Sequence, residues 1–154
     1  DFSSAYFDLI TVAQAIHWFN FDIFYKEVKR VLKPNGVFAV VGYGLLAIKD
    51  VRINALVQKL YYQTLKGYWD AERKYIDEEY LTIPFPFQEI DVPKLSMEYS
   101  WSAAQLLDYL NTWSAIKHYK KQNEDDPLAT LKMALTECDK SYEIEFPILL
   151  RIGC

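Results

Sequence analysis

The sequence predicts an α/β fold that is built around a parallel sheet. Residues 7–13 form an apolar run rich in β-branched side chains, which is typical of a strand buried on both faces. A helical pattern follows over residues 20–32, and residues 37–41 form a second apolar run. Because a strand, a helix and a second strand in this order make a parallel crossover unit, we expect the rest of the chain to cover this sheet or its carboxyl edge.

The first helix is predicted from its cap and from its apolar spacing. Asn20 can cap the helix, whose other face carries charged side chains. The apolar side chains recur at intervals of three and four residues: Phe21, Phe24, Val28, Val31 and Leu32. Pro34 cannot continue a helix and Gly36 tolerates a positive φ, so we expect the helix to end here. The second strand is then expected to begin at Val37.

The middle of the chain is predicted to be mainly helical. A second helix is expected over residues 50–66, and the aromatic-rich residues 67–82 continue it as a broken helix. Two prolines within residues 83–87 favour an extended connector over a central strand. Apolar and polar residues alternate over 94–101, which predicts a strand with one solvent-facing side, and Ser102 can cap the helix after it.

The last third of the chain is predicted to hold one more helix and one more strand. Asp126 followed by Pro127 is a cap with proline at the first helical position, which predicts a helix that runs to about Cys138. Residues 142–152 form an extended run. Pro147 within this run favours an edge strand or a bulge, because proline cannot donate to a regular central ladder.

The amino-acid composition limits the classes of protein and of partner that fit this chain. The 154 residues are 51% hydrophobic, which suits about one domain with a buried core. Acidic residues outnumber basic ones by 21 to 17, and this balance argues against nucleic acid or anionic lipid as a partner. No apolar run is long enough to span a membrane. The only cysteines are Cys138, which we expect to be buried and inert, and Cys154, so a disulfide framework is disfavoured and a cytoplasmic location is expected.

Candidate functional residues follow the first strand. Ligands of parallel sheets bind beyond the carboxyl ends of the strands, which places residues 14–18 where a ligand is expected. His17 among them is either a general base or a positioning or structural residue. Gly42 and Gly44 end the second strand and could admit a ligand or form a plain turn. His118 stands apart from other metal ligands, so no metal site is predicted.

Several of these segments resemble one enzyme family. Residues 4–11, 15–19 and 27–37 are similar, in order and spacing, to the middle and later motifs of class I S-adenosylmethionine-dependent methyltransferases. The resemblance is greatest to the subgroup that includes trans-aconitate methyltransferase. That subgroup carries the His-Trp-Phe step found at 17–19 and the later Thr-Trp-Ser segment found at 112–114. The likeness extends over nearly the whole chain.

The resemblance implies a particular part of a Rossmann-like fold. The family has a sheet of order 3-2-1-4-5-7-6 with an antiparallel seventh strand, and this chain resembles its C-terminal half, with about four strands in the order 4-5-7-6 and helices packed on them. The sequence contains no Gly-x-Gly-x-Gly segment to hold the cofactor. Residues 1–154 are therefore expected to form a single, incomplete methyltransferase domain that lacks the N-terminal strands and the Gly-rich loop. Its first strand would present an unpaired edge, through which the chain could self-associate.

The resemblance also implies a function. A nucleophile attacks the sulfonium methyl of S-adenosylmethionine in line, and the acceptor is expected to be a small molecule, with a carboxylate as the leading candidate. The implied cofactor-binding residues are Gln14, Ala15, His17 and Trp18. The implied substrate-binding residues are Trp18, Tyr43, Gly44 and Trp113. His17 is the candidate catalytic residue, and this segment alone is expected to be inactive.

Two alternatives stand beside this interpretation. The chain could be a non-catalytic α/β half-domain that acts only through association with another chain. It could also be a fragment of a Rossmann dehydrogenase, which fits the His-Trp-Phe step at residues 17–19 poorly. Trp18 and Trp113 have a structural alternative as well, because aromatic side chains at helical spacing are often core residues.

Overall fold

A computed structural model describes residues 2–135 and 140–154. Cys138 and the predicted end of the last helix lie outside the described residues. The chain divides into two compact units: the first comprises Asp1–Leu45, Glu72–Ser96 and Pro147–Cys154, and the second comprises Leu46–Ala71 and Met97–Phe146. Within the described residues, every helix is too short or too polar to pass through a lipid bilayer.

The described chain holds six strands and six α-helices. The strands are β1 Phe7–Ala13, β2 Leu32–Tyr43, β3 Ala47–Ile48, β4 Glu89–Ile90, β5 Leu95–Ser102 and β6 Ser141–Gly153. The helices are α1 Phe21–Val31, α2 Val51–Lys59, α3 Arg73–Asp77, α4 Ala103–Asn111, α5 Ser114–Gln122 and α6 Ala129–Ala134. A single 3₁₀ turn spans Ile16–Trp18, and a π-helical turn, Leu60–Thr64, continues α2.

The sheet confirms the predicted α/β class. β1 pairs in parallel with β2, and β2 pairs antiparallel with β6. β5 also pairs with β6, so the order β1-β2-β6-β5 matches the order expected from the family. The described sheet has six strands instead of about four, because the two-residue strands β3 and β4 also pair with β6.

β1 is much more exposed than its apolar sequence predicted. Val12 is 7% exposed, whereas Leu9 is 55% exposed. β1 stands at the end of the strand order, with β2 as its single partner in the described sheet. The prediction of a strand buried on both faces was therefore wrong, while the prediction of an unpaired edge fits this position.

The connection from α1 to β2 differs in detail from the prediction. Phe7 pairs with Leu32 and Leu9 pairs with Val37, so β2 begins before the predicted turn and the intervening residues bulge out of the ladder. The positive φ, 65°, belongs to Asn35 and not to Gly36, because asparagine also tolerates the left-handed region. Gly36 is required for space instead: a Cβ there would lie 2.8 Å from Leu32 Cγ.

One apolar cluster forms the core of the first unit. Val28 and Tyr25 on α1 pack against Phe38 and Val40 on β2 within this cluster. Its other buried members are Val12, Ile16, Leu32, Ile76, Tyr80, Ile83 and Leu149. The core thus joins α1, the sheet and the segment after α3. Tyr25 is unusual in this cluster, because its buried hydroxyl has no hydrogen-bond partner among the described residues.

The second unit is mainly helical. The Asp50 side chain caps α2, and Ser102 and Gln105 form a capping box at the start of α4, as the Ser102 prediction required. α6 begins later than predicted, at Ala129. Asp126 Oδ1 instead accepts a hydrogen bond from the Leu128 N–H (3.1 Å), which orders the turn before the helix.

Two further segments depart from the prediction. The only α-helix between residues 67 and 82 is the five-residue α3, so most of the predicted broken helix is irregular. β6 is not an edge strand, since β2, β3, β4 and β5 all pair with it. Tyr43 pairs with Ile148 and Ala47 pairs with Glu145, so the one extra residue at this point lies in residues 44–46, opposite Pro147, and not in β6, where the bulge was predicted.

Candidate functional site

The chain reverses at the carboxyl end of β1, where Gln14 joins the ends of two strands. Gln14 has a φ of 50°, and its N–H donates to the Val41 carbonyl (2.7 Å). Its Oε1 accepts from the Tyr43 N–H (2.8 Å), and its Nε2 donates to the Tyr43 carbonyl (3.4 Å). A non-glycine residue with positive φ is an uncommon conformation that often marks a functional turn. Both polar atoms of the Gln14 side-chain amide therefore hydrogen-bond to the backbone of β2.

The 3₁₀ turn after Gln14 separates its side chains by burial. The Trp18 N–H donates to the Ala15 carbonyl and the Phe19 N–H to the Ile16 carbonyl, each at 3.0 Å. Ile16 is fully buried and His17 is 5% exposed, whereas Trp18 is 57% exposed. The ring centres of His17 and Trp18 are 5.0 Å apart. The turn therefore fixes the imidazole in place and presents the indole to solvent.

The imidazole of His17 contacts a buried tyrosine from a distant part of the sequence. His17 Nδ1 lies 3.2 Å from the hydroxyl oxygen of Tyr80, and the two rings stack with centres 5.9 Å apart. Tyr80 is fully buried. The local sequence gives no signal that would predict Tyr80 as a site residue.

Burial sets the protonation of both rings. It is the largest cause that lowers the pKa of His17 below 6.5; the charge of Arg73 lowers it further, and Glu72 opposes the shift. Burial also raises the pKa of Tyr80 to about 12. At neutral pH the imidazole is therefore uncharged and the phenol keeps its proton.

Tyr80 is seated directly on the backbone of Gly42. A Cβ at Gly42 would lie 2.6 Å from Tyr80 Cε2 and 2.9 Å from Gln14 Oε1. The sequence predicted a close approach at Gly42, either by a ligand or in a turn, and the approaching group is this ring. At Gly44, a Cβ would meet Pro147 Cγ at 3.0 Å, which is a milder contact.

We expect Gly42→Ala to destabilise the protein by about 1–3 kcal/mol, the usual cost of inserting a methyl group into a packed site. The new methyl would also displace Tyr80 from His17. Urea denaturation measures the loss, and Gly44→Ala is the matched control with a smaller expected effect. Equal losses for the two variants would contradict the close seating of Tyr80.

Arg151 holds the backbone of the segment that carries Tyr80. Its Nη1 donates to the carbonyls of Tyr80 (2.9 Å) and Ile83 (2.8 Å). Its Nε and Nη2 donate to the two carboxylate oxygens of Glu89 at 2.7 and 2.8 Å, and its guanidinium lies 4.5 Å from the ring centre of Phe85. Tyr80 has a φ of 62°, so its backbone needs such a support.

The predicted site residues fall into two groups. Gln14, Ala15, His17, Trp18, Tyr43 and Gly44 all lie at or just beyond the carboxyl ends of β1 and β2 in the first unit. Trp113 lies in the second unit, where it is 7% exposed and its ring centre is 5.3 Å from that of Trp69. Within that unit it is a core aromatic, and its contact with substrate stays a prediction.

Two polar residues outside the turn, Asp8 and His118, have contacts within the fold. Asp8 pairs with Lys33 (2.8 Å) at the amino end of β1. His118 Nδ1 lies 2.9 Å from the Tyr68 carbonyl. Across the described part of the chain, no group of three or more histidine, cysteine or acidic side chains could hold a metal ion.

Comparisons with known proteins identify the family. A family model described as a methyltransferase domain matches residues 1–40. A Dictyostelium discoideum protein assigned as a methyltransferase is 36% identical over 159 residues, which is 97% of this chain and 60% of that protein. A solved structure from Anaeromyxobacter dehalogenans, assigned as a type II methyltransferase, is 37% identical with a TM-score of 0.86, over 98% of this chain and 66% of that one. The chain thus spans less than two thirds of either relative's length. In sequence and fold it belongs to the class I S-adenosylmethionine-dependent methyltransferases.

Proposed function

We propose that this chain forms the methyl-acceptor side of an S-adenosylmethionine-dependent methyltransferase that acts on a small molecule. The observation that carries the proposal is the turn after β1: it lies beside the end of a parallel partner strand and brings a buried imidazole next to an exposed indole. In open parallel sheets this is the edge where ligands bind.

The residues of the turn fit the cofactor's chemistry. A sulfonium is a cation, and an exposed indole face attracts cations. Trp18 offers such a surface, and Ala15 and His17 flank it on the same turn. When bound, S-adenosylmethionine supplies an electrophilic methyl group to an attacking nucleophile. Gln14, Ala15, His17 and Trp18 would hold it, with Gln14 acting through the backbone because its amide already pairs with Tyr43.

For the acceptor we propose a carboxylate. Arg73 lowers the pKa of both His17 and Tyr80, whereas Glu72 opposes the shift at His17 and Asp77 pairs with Arg73 (3.7 Å). The guanidinium of Arg73 is the cation near the imidazole that would attract an anionic acceptor. Tyr43 and Gly44, at the end of β2, are the neighbouring candidates for contact with it.

We further propose that residues 1–154 are one incomplete domain of a cytoplasmic enzyme. β1 occupies the end of the described sheet. The proteins that are similar to this chain are longer than it is. The remaining length would supply the Gly-rich loop and a strand that pairs with the free edge of β1. Without that strand, the same edge would pair with a second copy of this chain.

The test is cofactor binding by the full-length protein that contains this chain, measured by calorimetry. We expect binding of S-adenosylmethionine and about 10-fold weaker binding by Trp18→Ala, since a cation over an aromatic face contributes about 1–2 kcal/mol. Tyr62→Ala is the control, because Tyr62 is 56% exposed and lies in the second unit. No cofactor binding by the full-length protein would favour the alternative of a non-catalytic half-domain.

Acceptor chemistry is tested separately by methyl transfer from labelled S-adenosylmethionine. A panel of small carboxylates and their alcohol counterparts is compared under the same conditions. We expect base-labile methyl esters from the carboxylates. Transfer to the alcohols alone would contradict the proposed acceptor class and leave the methyltransferase assignment in place.

A further inference from the structure

The hydroxyl of Tyr80 is fixed more firmly than its single hydrogen bond requires. The ring rests on the backbone of Gly42, where even a methyl group would collide with it. The backbone carbonyl of Tyr80 is held by Arg151. These contacts therefore hold the hydroxyl oxygen at its position 3.2 Å from His17 Nδ1.

The two ring nitrogens of His17 differ in what they can reach. Nδ1 faces Tyr80, whereas Nε2 has no hydrogen-bond partner among the described residues. Within the described chain, Tyr25 Oη is the only fully buried side-chain nitrogen or oxygen without a hydrogen-bond partner. His17 Nε2 also has no partner but does not belong to this class, so it keeps some contact with solvent. A ligand that binds at the turn can therefore reach Nε2.

We propose that Tyr80 is a positioning residue whose hydroxyl donates a hydrogen bond to His17 Nδ1 and thereby holds the ring in the tautomer with hydrogen on Nε2. His17 then meets the methyl acceptor as a hydrogen-bond donor and not as a general base. A neutral imidazole has one donor and one acceptor nitrogen, and the partner of one nitrogen decides the role of the other. The high pKa of Tyr80 agrees with a phenol that keeps its proton and donates.

This inference rests on the proposed function and narrows its substrate class. With Nδ1 engaged by Tyr80 and Nε2 already protonated, His17 has no free lone pair with which to take a proton from an acceptor. The acceptor must therefore arrive as a competent nucleophile. A carboxylate is ionised at neutral pH, whereas an alcohol would need a base to remove its proton.

The test reads the tautomer directly in the full-length protein labelled with ¹⁵N. Long-range ¹H–¹⁵N spectra separate a protonated ring nitrogen from an unprotonated one, and His17→Gln identifies the His17 signals. In the wild-type protein we expect hydrogen on Nε2 and an unprotonated, hydrogen-bonded Nδ1. In Tyr80→Phe we expect a mixture of tautomers, about a 10-fold lower kcat and an unchanged KM for S-adenosylmethionine.

Tyr25→Phe is the matched control, because it removes another buried hydroxyl of the same core, and this hydroxyl has no partner among the described residues. We expect it to leave the His17 spectrum and kcat unchanged. Hydrogen on Nδ1 in the wild-type protein would overturn the inference, and so would a Tyr80→Phe protein with wild-type His17 signals and kcat. The wild-type spectrum decides the tautomer even if Tyr80→Phe does not fold. Absence of methyl transfer by the wild-type protein would count against the proposed function instead, since the tautomer is read without substrate.

Discussion

Replacing Arg151 with methionine is expected to lower the free energy of unfolding by about 3 kcal/mol. The side chain of Arg151 is 12% exposed, and it is a donor to the carbonyls of Tyr80 and Ile83. Methionine has no donor, so the Ile83 carbonyl would lose this partner and the Tyr80 carbonyl would keep only the Ile83 N–H (3.2 Å). A buried polar group left unpaired costs about 1–3 kcal/mol, and a lost hydrogen bond to a charged group costs about 1.5–3 kcal/mol. Urea denaturation of the full-length variant and wild-type proteins measures the difference.

Part of the Arg151 interaction contributes little to this loss. The Glu89 side chain is 44% exposed, so its ion pair with Arg151 is screened by solvent. The pair lowers the pKa of Glu89 below 4.5, so its small contribution is present above pH 4.5 and is lost as the pH falls through the lowered value. Glu89→Gln is therefore expected to cost clearly less than Arg151→Met.

Arg30 provides a matched control for Arg151. It also makes a two-bond ion pair with a glutamate, Glu27, but its side chain is 40% exposed. We expect Arg30→Met to change stability only slightly, because exposed pairs contribute little. If Arg30→Met cost as much as Arg151→Met, the anchoring of the Tyr80 backbone would not be the reason for the loss.

The elements that the sequence predicted well are those fixed by neighbouring residues. Asn20 Oδ1 accepts from the Ile23 N–H (3.2 Å), and Ser102 Oγ accepts from the Gln105 N–H (3.3 Å). A cap and its partner stand three residues apart, so a local pattern is enough to find them. The same holds for part of the apolar stripe of α1: Val28 and Val31 are buried as predicted, whereas Phe21 and Phe24 are partly buried and Tyr25, which the stripe did not include, is buried.

The elements that the sequence missed depend on partners far along the chain. The amide of Gln14 meets the backbone of Tyr43, 29 residues away, and His17 meets Tyr80, 63 residues away. Neither a glutamine nor a histidine in a sequence indicates which distant residue it will contact. Exposure of β1 was missed for the same reason: an apolar run predicts burial, but the number of strands beside it is decided by topology. The sequence placed the candidate site at this edge of the sheet, and only the structure supplied its neighbours Tyr80 and Arg151.

His17→Ala is expected to lower kcat about 100-fold, because removing one fixed hydrogen-bond donor from a catalytic site commonly costs about 10²–10³ in rate. His17→Gln offers an amide N–H near the position of Nε2, so it should retain about a tenth of the wild-type kcat. Steady-state kinetics of both variants with a carboxylate acceptor test this difference. A base at His17 predicts instead that glutamine is as inactive as alanine, because an amide cannot take up the acceptor's proton.

The pH dependence separates the two roles of His17 without any substitution. The pKa of His17 is lowered below 6.5, so the unfolded chain binds this proton more readily, and stability from this group falls as the pH drops below 6.5. Within the range where the protein stays folded, a general base loses activity as it becomes protonated. A donor keeps its Nε2 hydrogen in both protonation states. We therefore expect kcat not to fall as the pH drops through the pKa of His17. A fall in kcat there in the wild-type protein that is absent in His17→Gln would show that His17 acts as a general base.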